Sequence, residues 1–214
     1  MASSALHPDG LRIAVFAKAP VPGQVKTRLA PLLGDDGAAA LHAALTRRAL
    51  STAVAADIGG VELHCAPDER HEFFARCAAR FGVELVAQRG ADLGERMRNA
   101  FERAFGLGHS LVVIGTDCPS LDAGDLHAAR DALARAPAVL SPAEDGGYVL
   151  IGLAAAVPGL FDGVDWGTSA VLAQTRRRFA RAGVHCTELR SLWDLDRPED
   201  YARLQAEGLI GELA

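Results

Sequence analysis

Aromatic residues are scarce in this chain and long apolar runs are missing. Phe, Trp and Tyr make up 6% of its 214 residues, against 50% hydrophobic residues in all, so a core of Ala, Leu and Val is expected. No apolar run approaches the ~20 residues that a membrane span needs. The N-terminus lacks a charged segment leading into an apolar secretory core, so a soluble, cytoplasmic protein without membrane partners is expected. Cys65, Cys77, Cys118 and Cys186 show neither a Cys-x-x-Cys pair nor zinc-finger spacing. That weighs against a disulfide framework or structural zinc and leaves buried thiols. An excess of positive charge is also missing, since the formal net charge is -5. Sequence-independent nucleic-acid binding rests on many Lys and Arg side chains, so no nucleic-acid partner is expected. Internal repeats, low-complexity tracts and linkers are absent as well. The length suits one domain over residues 11–214 behind a loose leader at residues 1–10.

What is present is an alternation of strand and helix signals. Leu11 to Ala17 is short and apolar and reads as a buried first strand. A basic loop follows, and Asp35 can cap a long amphipathic helix to about Ala56, with Ala38, Leu41, Leu45, Ala49 and Thr52 on one face. Strands at Val61 to Cys65 and Val83 to Ala87 flank a helix from Asp68 to Arg80. Asp92 and Glu95 form a capping box before a helix ending near Gly106. The strand Leu111 to Gly115 is apolar throughout and reads as buried on both faces. A helix from about Asp122 to Arg135, strands near Ala138 to Ser141 and Tyr148 to Leu153, and a helix capped by Thr168 or Ser169 and ending near Arg181 come next. A strand at Val184 to Leu189 and a closing helix after Asp196 complete the chain. The pattern predicts an α/β fold with a mostly parallel central sheet.

The chemistry begins in the stretch Phe16 to Leu29, where Lys18, Lys26 and Arg28 surround a turn containing Pro20, Pro22 and Gly23. Cations on a loop, with backbone N–H groups at the following helix start, suit phosphate groups; solvated surface charges are the plainer alternative. The loop is not a Walker loop, because Val25 stands where that pattern needs glycine, and no stretch carries the dinucleotide fingerprint. Asp117 follows directly on a buried strand, where open α/β sheets place ligands, and can hold a divalent cation that bridges phosphate oxygens. A second acid is then wanted. Asp196 reads as a helix N-cap, with Pro198 and Glu199 after it, which leaves Asp194 as the better second ligand. Asp145 suits a ligand, a base or a turn former. Gly146 and Gly147 make a sharp turn that backbone or ligand can approach closely. Arg96 can reach a substrate anion or lie solvated, and Trp166 can stack on a base or cover a core edge.

Taken together, Phe-Ala-Lys-Ala-Pro-Val-Pro-Gly-Gln-Val-Lys-Thr-Arg-Leu, Asp-Leu-Gly-Glu-Arg-Met, Gly-Thr-Asp-Cys-Pro-Ser-Leu, Ser-Pro-Ala-Glu-Asp-Gly-Gly-Tyr-Val-Leu-Ile-Gly-Leu, Trp-Gly-Thr-Ser and Asp-Leu-Asp-Arg-Pro-Glu-Asp resemble the bacterial DUF2064 family. This is the rSAM/selenodomain-associated transferase 1 group, often labelled arsenosugar-biosynthesis glycosyltransferase. The likeness runs collinearly from about Arg12 to Leu209. It implies the GT-A, nucleotide-diphospho-sugar transferase superfamily: a Rossmann-like three-layer sandwich with nucleotide bound across the strand ends. The chain is also similar to 2-phospho-lactate and molybdenum-cofactor guanylyltransferases, although it lacks the first-loop glycines of the latter and carries Arg197 where Thr is frequent.

The resemblance assigns Lys18, Lys26 and Arg28 to phosphates, Asp117 to the metal, Mg²⁺ or Mn²⁺, with Asp194 or Asp196 as its second contact, and Gly146 and Gly147 to substrate approach. With the residues read above, the candidate catalytic set is Lys18, Lys26, Arg28, Asp117 and Asp145, and the candidate substrate contacts are Pro22, Gly23, Thr27, Arg96, Thr116, Gly146, Gly147, Tyr148 and Trp166. The partners are then a nucleotide, as NTP or NDP-sugar, and a small acceptor. Nucleotidyl transfer to a phosphorylated acceptor with release of pyrophosphate is the leading expectation. Glycosyl transfer from an NDP-sugar and a non-catalytic nucleotide sensor are the alternatives.

Overall fold

A computed structural model describes residues 10–209 and 211. Apart from Gly10, the expected leader lies outside the described residues. Seven strands form one sheet in the order β3-β2-β1-β4-β6-β5-β7. They are β1 (Leu11–Lys18), β2 (Gly60–Ala66), β3 (Glu84–Ala87), β4 (Ser110–Ile114), β5 (Ala138–Pro142), β6 (Tyr148–Leu153) and β7 (Cys186–Glu188). β1 pairs in parallel with β2 and β4, as do β2 with β3 and β5 with β7; β6 runs antiparallel to both β4 and β5. The reversal has a local cause: only the turn around Glu144–Gly147 joins β5 to β6, and a parallel crossover needs a dozen residues or more.

The helices are α1 (Ala30–Ala55), α2 (Glu72–Phe81), α3 (Leu93–Gly106), α4 (Ala123–Leu133), α5 (Val171–Arg181) and α6 (Pro198–Ala206). Alternate residues of each central strand face opposite layers. Ile13 and Val15 of β1 join Val112 and Ile114 of β4 under Leu50, Phe74 and Leu126 from α1, α2 and α4. Ala14, Leu111 and Val113 face the other way, toward Phe101 of α3 and Phe179 of α5. The result is the expected α/β sandwich of helix, sheet and helix. Among the described residues no helix is long and apolar enough to cross a membrane.

A third apolar cluster positions the site. Leu29, Leu41 and Leu45, from the end of the basic loop and from α1, pack with Trp193, Leu195 and Leu204. Trp193 and Leu195 are 4% and 0% exposed, while Asp194 and Asp196 between and after them are only partly buried. An extended segment with a period of two therefore docks its apolar face on α1 and turns its carboxylates outward. Full burial of a Leu side chain contributes about 1.5–3 kcal/mol, which fixes the backbone that carries the acids.

Several helix starts differ from expectation. α1 begins at Ala30 and breaks at Gly34 (φ 71°, ψ 167°), and its long part then starts beside Asp35. α2 starts at Glu72 and not at Asp68: His71 caps it by accepting the Phe73 N–H through Nδ1 at 3.2 Å, while Asp68 accepts from Arg70 in the turn before it. α5 has no side-chain cap; Thr168 Oγ1 instead accepts from the Ala170 N–H before the helix begins. Asp196 does not cap α6, whose first turn is closed by Asp200 accepting the N–H groups of Asp196 and Arg197 at 2.9 and 2.7 Å. That frees the Asp196 carboxylate for the site.

Candidate active site

Where β1 and β4 end, a cleft of about 650 Å³ opens at the carboxyl edge of the sheet. Its floor is an ion cluster. Lys26 stands in the left-handed region (φ 48°, ψ 37°) just before a 3-10 turn at Thr27–Leu29, and this sends its side chain inward. The ammonium lies 2.7 Å from Asp117 Oδ1 and 3.0 Å from Asp196 Oδ1, and also donates to the Leu195 carbonyl. The Leu195 N–H in turn donates to the Asp117 carbonyl at 2.7 Å, so the loop after β4 and the Trp193–Asp196 segment are tied directly together.

The Lys26 side chain is 3% exposed, and burial alone would lower its pKa, but the charges of Asp117 and Asp196 raise it above the ordinary value. Asp117 is the converse: burial works to raise its pKa, and Lys26, with His42 and Lys18, holds it below the usual carboxylate range. Asp117 Oδ1 is buried without a hydrogen bond and has only the ion-pair contact, whereas its side chain as a whole is 45% exposed. Asp194 is pushed up to about 7, first by burial and then by the charges of Asp117 and Asp145. Carboxylates converge here beyond what one ammonium neutralises.

The expected three-cation cradle is divided. Lys18, Thr27, Arg96, Thr116 and Tyr148 line the cleft with Lys26, Asp117, Asp194 and Asp196. Arg28 does not; it lies 3.6 Å from Asp196 on the side of a second cavity of about 450 Å³, which Asp145 also lines. Lys26 differs from expectation too, since its charge is committed to two carboxylates and not open on a loop surface. Pro22 and Gly23 are exposed and line neither cavity, Gly23 supplying a positive φ of 76° to the turn.

Gly146 and Gly147 also line neither cavity, and chain packing is the reason. A Cβ on Gly146 would sit 2.4 Å from the Ser169 carbonyl oxygen, so the bare backbone is needed to seat the β5–β6 turn against that segment. The Gly147 N–H donates to Asp145 Oδ1 at 2.8 Å. Trp166 covers a core edge, its ring edge-on to Tyr148 at 6.5 Å. Gly94 makes room for the indole, since a Cβ there would lie 2.6 Å from its Nε1.

Two cleft residues escaped the sequence reading. His42, 5% exposed on α1, contacts the Lys18 carbonyl through Nε2 at 3.0 Å, which makes Nε2 the protonated nitrogen. Burial, its largest influence, lowers its pKa. Gln88, just past β3, donates to the carbonyls of His64 and Ala17 at 2.7 and 3.3 Å. The available signal was a polar residue on an apolar helix face in one case and beyond a strand's carboxyl end in the other.

Among the described residues no group of three or more His, Cys, Asp or Glu side chains is arranged to hold a metal ion. Asp117 and Asp194 nonetheless fit a hard divalent cation: one is a carboxylate held ionised whose side chain is 45% exposed at the cleft, the other a carboxylate crowded by like charges. A cation between phosphates commonly takes only one or two protein carboxylates.

A family model described as "Uncharacterized protein conserved in bacteria (DUF2064)" matches residues 49–168. The chain belongs to the DUF2064 family. No curated protein matches this DUF2064 chain. Among solved structures it is similar to a protein from Desulfovibrio desulfuricans G20 described as a proposed nucleotide-diphospho-sugar transferase. That pair has a TM-score of 0.81 at 29% identity, covering 96% of this chain and 98% of the other. A 4-diphosphocytidyl-2C-methyl-D-erythritol synthase from Anaerococcus prevotii shares the fold with a TM-score of 0.65 at 9% identity, covering 96% and 99%. A nucleotidyl transferase from Methanothermobacter does so with 0.61 at 13%, covering 94% and 99%. The DUF2064 chain thus has the fold of the nucleotidyltransferase and GT-A group.

Proposed function

We propose that the protein is a metal-dependent transferase that binds a nucleotide in the first cleft and moves a nucleotidyl group from an NTP to a small acceptor, releasing pyrophosphate. The observation that carries this reading is the Lys26–Asp117–Asp196 cluster, with Asp194 beside it, on the floor of a cleft at the strand ends. Those carboxylates call for more positive charge than Lys26 supplies, and Lys18 and Arg96 on the walls suit the outer phosphates. The similarity to nucleotidyl transferases over nearly the whole of both chains supports the same reading.

Asp117 and Asp194 would hold Mg²⁺ or Mn²⁺, which when bound neutralises phosphate oxygens and the charge that develops on the leaving group. Lys26 keeps Asp117 ionised and fixes Asp117 and Asp196 relative to Leu195. Lys18 and Arg96 orient the phosphate chain, so that much of the barrier is met by positioning and charge stabilisation. Pyrophosphate formation from a panel of NTPs with candidate acceptors tests the reading. It fails if no triphosphate yields pyrophosphate under any combination.

Glycosyl transfer from an NDP-sugar is the second reading, favoured by the description of the Desulfovibrio protein at 29% identity. Release of NDP from a sugar donor, without pyrophosphate from any triphosphate, would select it.

A further inference from the structure

Asp117 and Asp194 are carried by parts of the chain that are not neighbours in the sheet. Asp117 follows β4, whereas Asp194 lies in the segment that runs on from β7 beside β5, where Leu192 pairs with Ala143. β6 stands between β4 and β5. Two strand spacings, about 10 Å, must therefore be bridged to hold both acids at one cation. The β5 side is firmly anchored. Leu189 and Leu192 donate their N–H groups to the Leu140 and Pro142 carbonyls at 2.8 and 2.9 Å, and the buried Ser141 hydroxyl donates to the Arg190 carbonyl at 2.7 Å.

The β4 side is a turn held from outside. Its Asp117, Pro119 and Ser120 carbonyls accept from the Leu195 N–H at 2.7 Å, from Arg48 Nε at 2.7 Å and from Arg190 Nη2 at 3.2 Å. Arg190 also reaches the start of α4, where its Nε and Nη2 donate to the two oxygens of Asp125 at 2.6 and 2.7 Å. Asp125 is buried and accepts the Asp122 N–H at 3.0 Å in a reciprocal capping box. A fork that grips both carboxylate oxygens fixes direction as well as distance. The Leu195–Asp117 hydrogen bond alone is a pivot about which the two segments can turn. Arg190 attaches them a second time, further along both, and removes that rotation.

We infer that Arg190 is a positioning residue for the cation site: clamped on Asp125 and the Ser120 carbonyl, it sets the placement of Asp117 relative to Asp194. This rests on the reading of those two acids as the cation's ligands. None of the largest charge effects on either acid comes from Arg190, so it acts through the backbone and not through its field. Arg190 does not line the cleft, and replacing it leaves every cleft side chain chemically unchanged. What is lost is the match between two carboxylates and one cation, which a hard divalent ion feels more than a phosphate chain held by flexible Lys18 and Arg96 does.

The test uses the full chain and whichever of the common NTPs and NDP-sugars binds wild type most tightly. Calorimetry gives its affinity in EDTA and at saturating Mg²⁺, and the ratio of the two is what the cation contributes. The variant is Arg190→Gln combined with Asp125→Asn, which removes the fork without leaving a buried carboxylate unpaired and keeps an acceptor for the Asp122 N–H. Its ratio should fall at least fivefold, while the affinity in EDTA stays within twofold of wild type. Leu133→Ala opens a cavity at the far end of α4 and controls for lost stability; its ratio should stay within twofold. A fall of less than fivefold in the double variant, an equal fall in Leu133→Ala, or equal losses with and without Mg²⁺ overturns the inference. Failure of wild type to bind any of these nucleotides, or binding indifferent to Mg²⁺, overturns the functional reading beneath it instead.

Discussion

Replacing Asp194 by Asn should make the protein more stable at alkaline pH, although it removes a group from the site. The Asp194 carboxyl rises from an ordinary 3.8 to about 7 through burial and the neighbouring charges of Asp117 and Asp145. Between those two values the folded chain keeps a proton that the unfolded chain has lost, so stability falls as pH rises through the window and levels off above about 7. A difference of about three pH units at 1.36 kcal/mol each sets an upper bound of about 4 kcal/mol. Water in the open cleft screens part of this, and about 2 kcal/mol is the working figure. For a chain of this size that is a shift of roughly 4–8 °C in Tm. Melting curves of Asp194→Asn and wild type from pH 5 to 8.5, in buffer containing EDTA, measure it directly. The variant's advantage should be smaller at pH 5, where only about a third of it has developed, and should grow to several degrees at pH 8. A constant difference across the range, or a variant less stable at pH 8 than at pH 5 relative to wild type, would refute the electrostatic account of the cluster.

Other expectations concern the frame of the site. Gly146→Ala places a Cβ 2.4 Å from the Ser169 carbonyl oxygen at a φ of 92°, and should cost about 2–4 kcal/mol. Urea unfolding should show a lower midpoint at unchanged slope, and a loss below 1 kcal/mol would mean the turn adjusts freely. Glu62 would be raised by burial, but hydrogen bonds from His64 and Arg103, at 3.0 and 2.8 Å, hold it at about 2. The stability it contributes is present above its unfolded value of 4.5 and is lost as pH falls toward 2. Glu62→Gln should therefore flatten the acid limb of the stability profile by up to about 3 kcal/mol, and an acid limb identical to that of the wild type would remove Glu62 as its source.

The fold was legible because each element carries its own period. Leu111 to Ile114 of β4 are all apolar because they are buried on both faces, and α3 shows Met97, Phe101 and Ala104 on one side. The antiparallel β6 was legible in principle too, from the shortness of the turn after β5. The site was legible as a set of residues and not as a set of contacts. Lys26 reads as a loop cation, and nothing local reveals that a left-handed backbone turns it onto Asp117 and Asp196, far along the sequence. Asp196 looks like a cap because Pro198 and Glu199 follow it, but Asp200 does that work, and docking of Trp193 and Leu195 on α1 decides where the freed carboxylate goes. Gly146 and Gly147 signal close approach correctly while leaving open whether a ligand or the Ser169 backbone approaches. Arg28 sits two residues from Lys26, and that spacing gives no hint that a wall of acids will part them.

The central claim is that Asp117 anchors a nucleotide and a divalent cation in the first cleft. Thermal-shift measurements with the common NTPs and NDP-sugars, each with and without Mg²⁺ or Mn²⁺, on wild type and Asp117→Asn, test it most directly. A ligand at one hundred times its Kd stabilises by about 2.7 kcal/mol, several degrees in Tm. The account predicts such a shift for at least one nucleotide, dependent on the metal and absent in Asp117→Asn. No shift with any nucleotide and either metal, or an equal shift in Asp117→Asn, would contradict it.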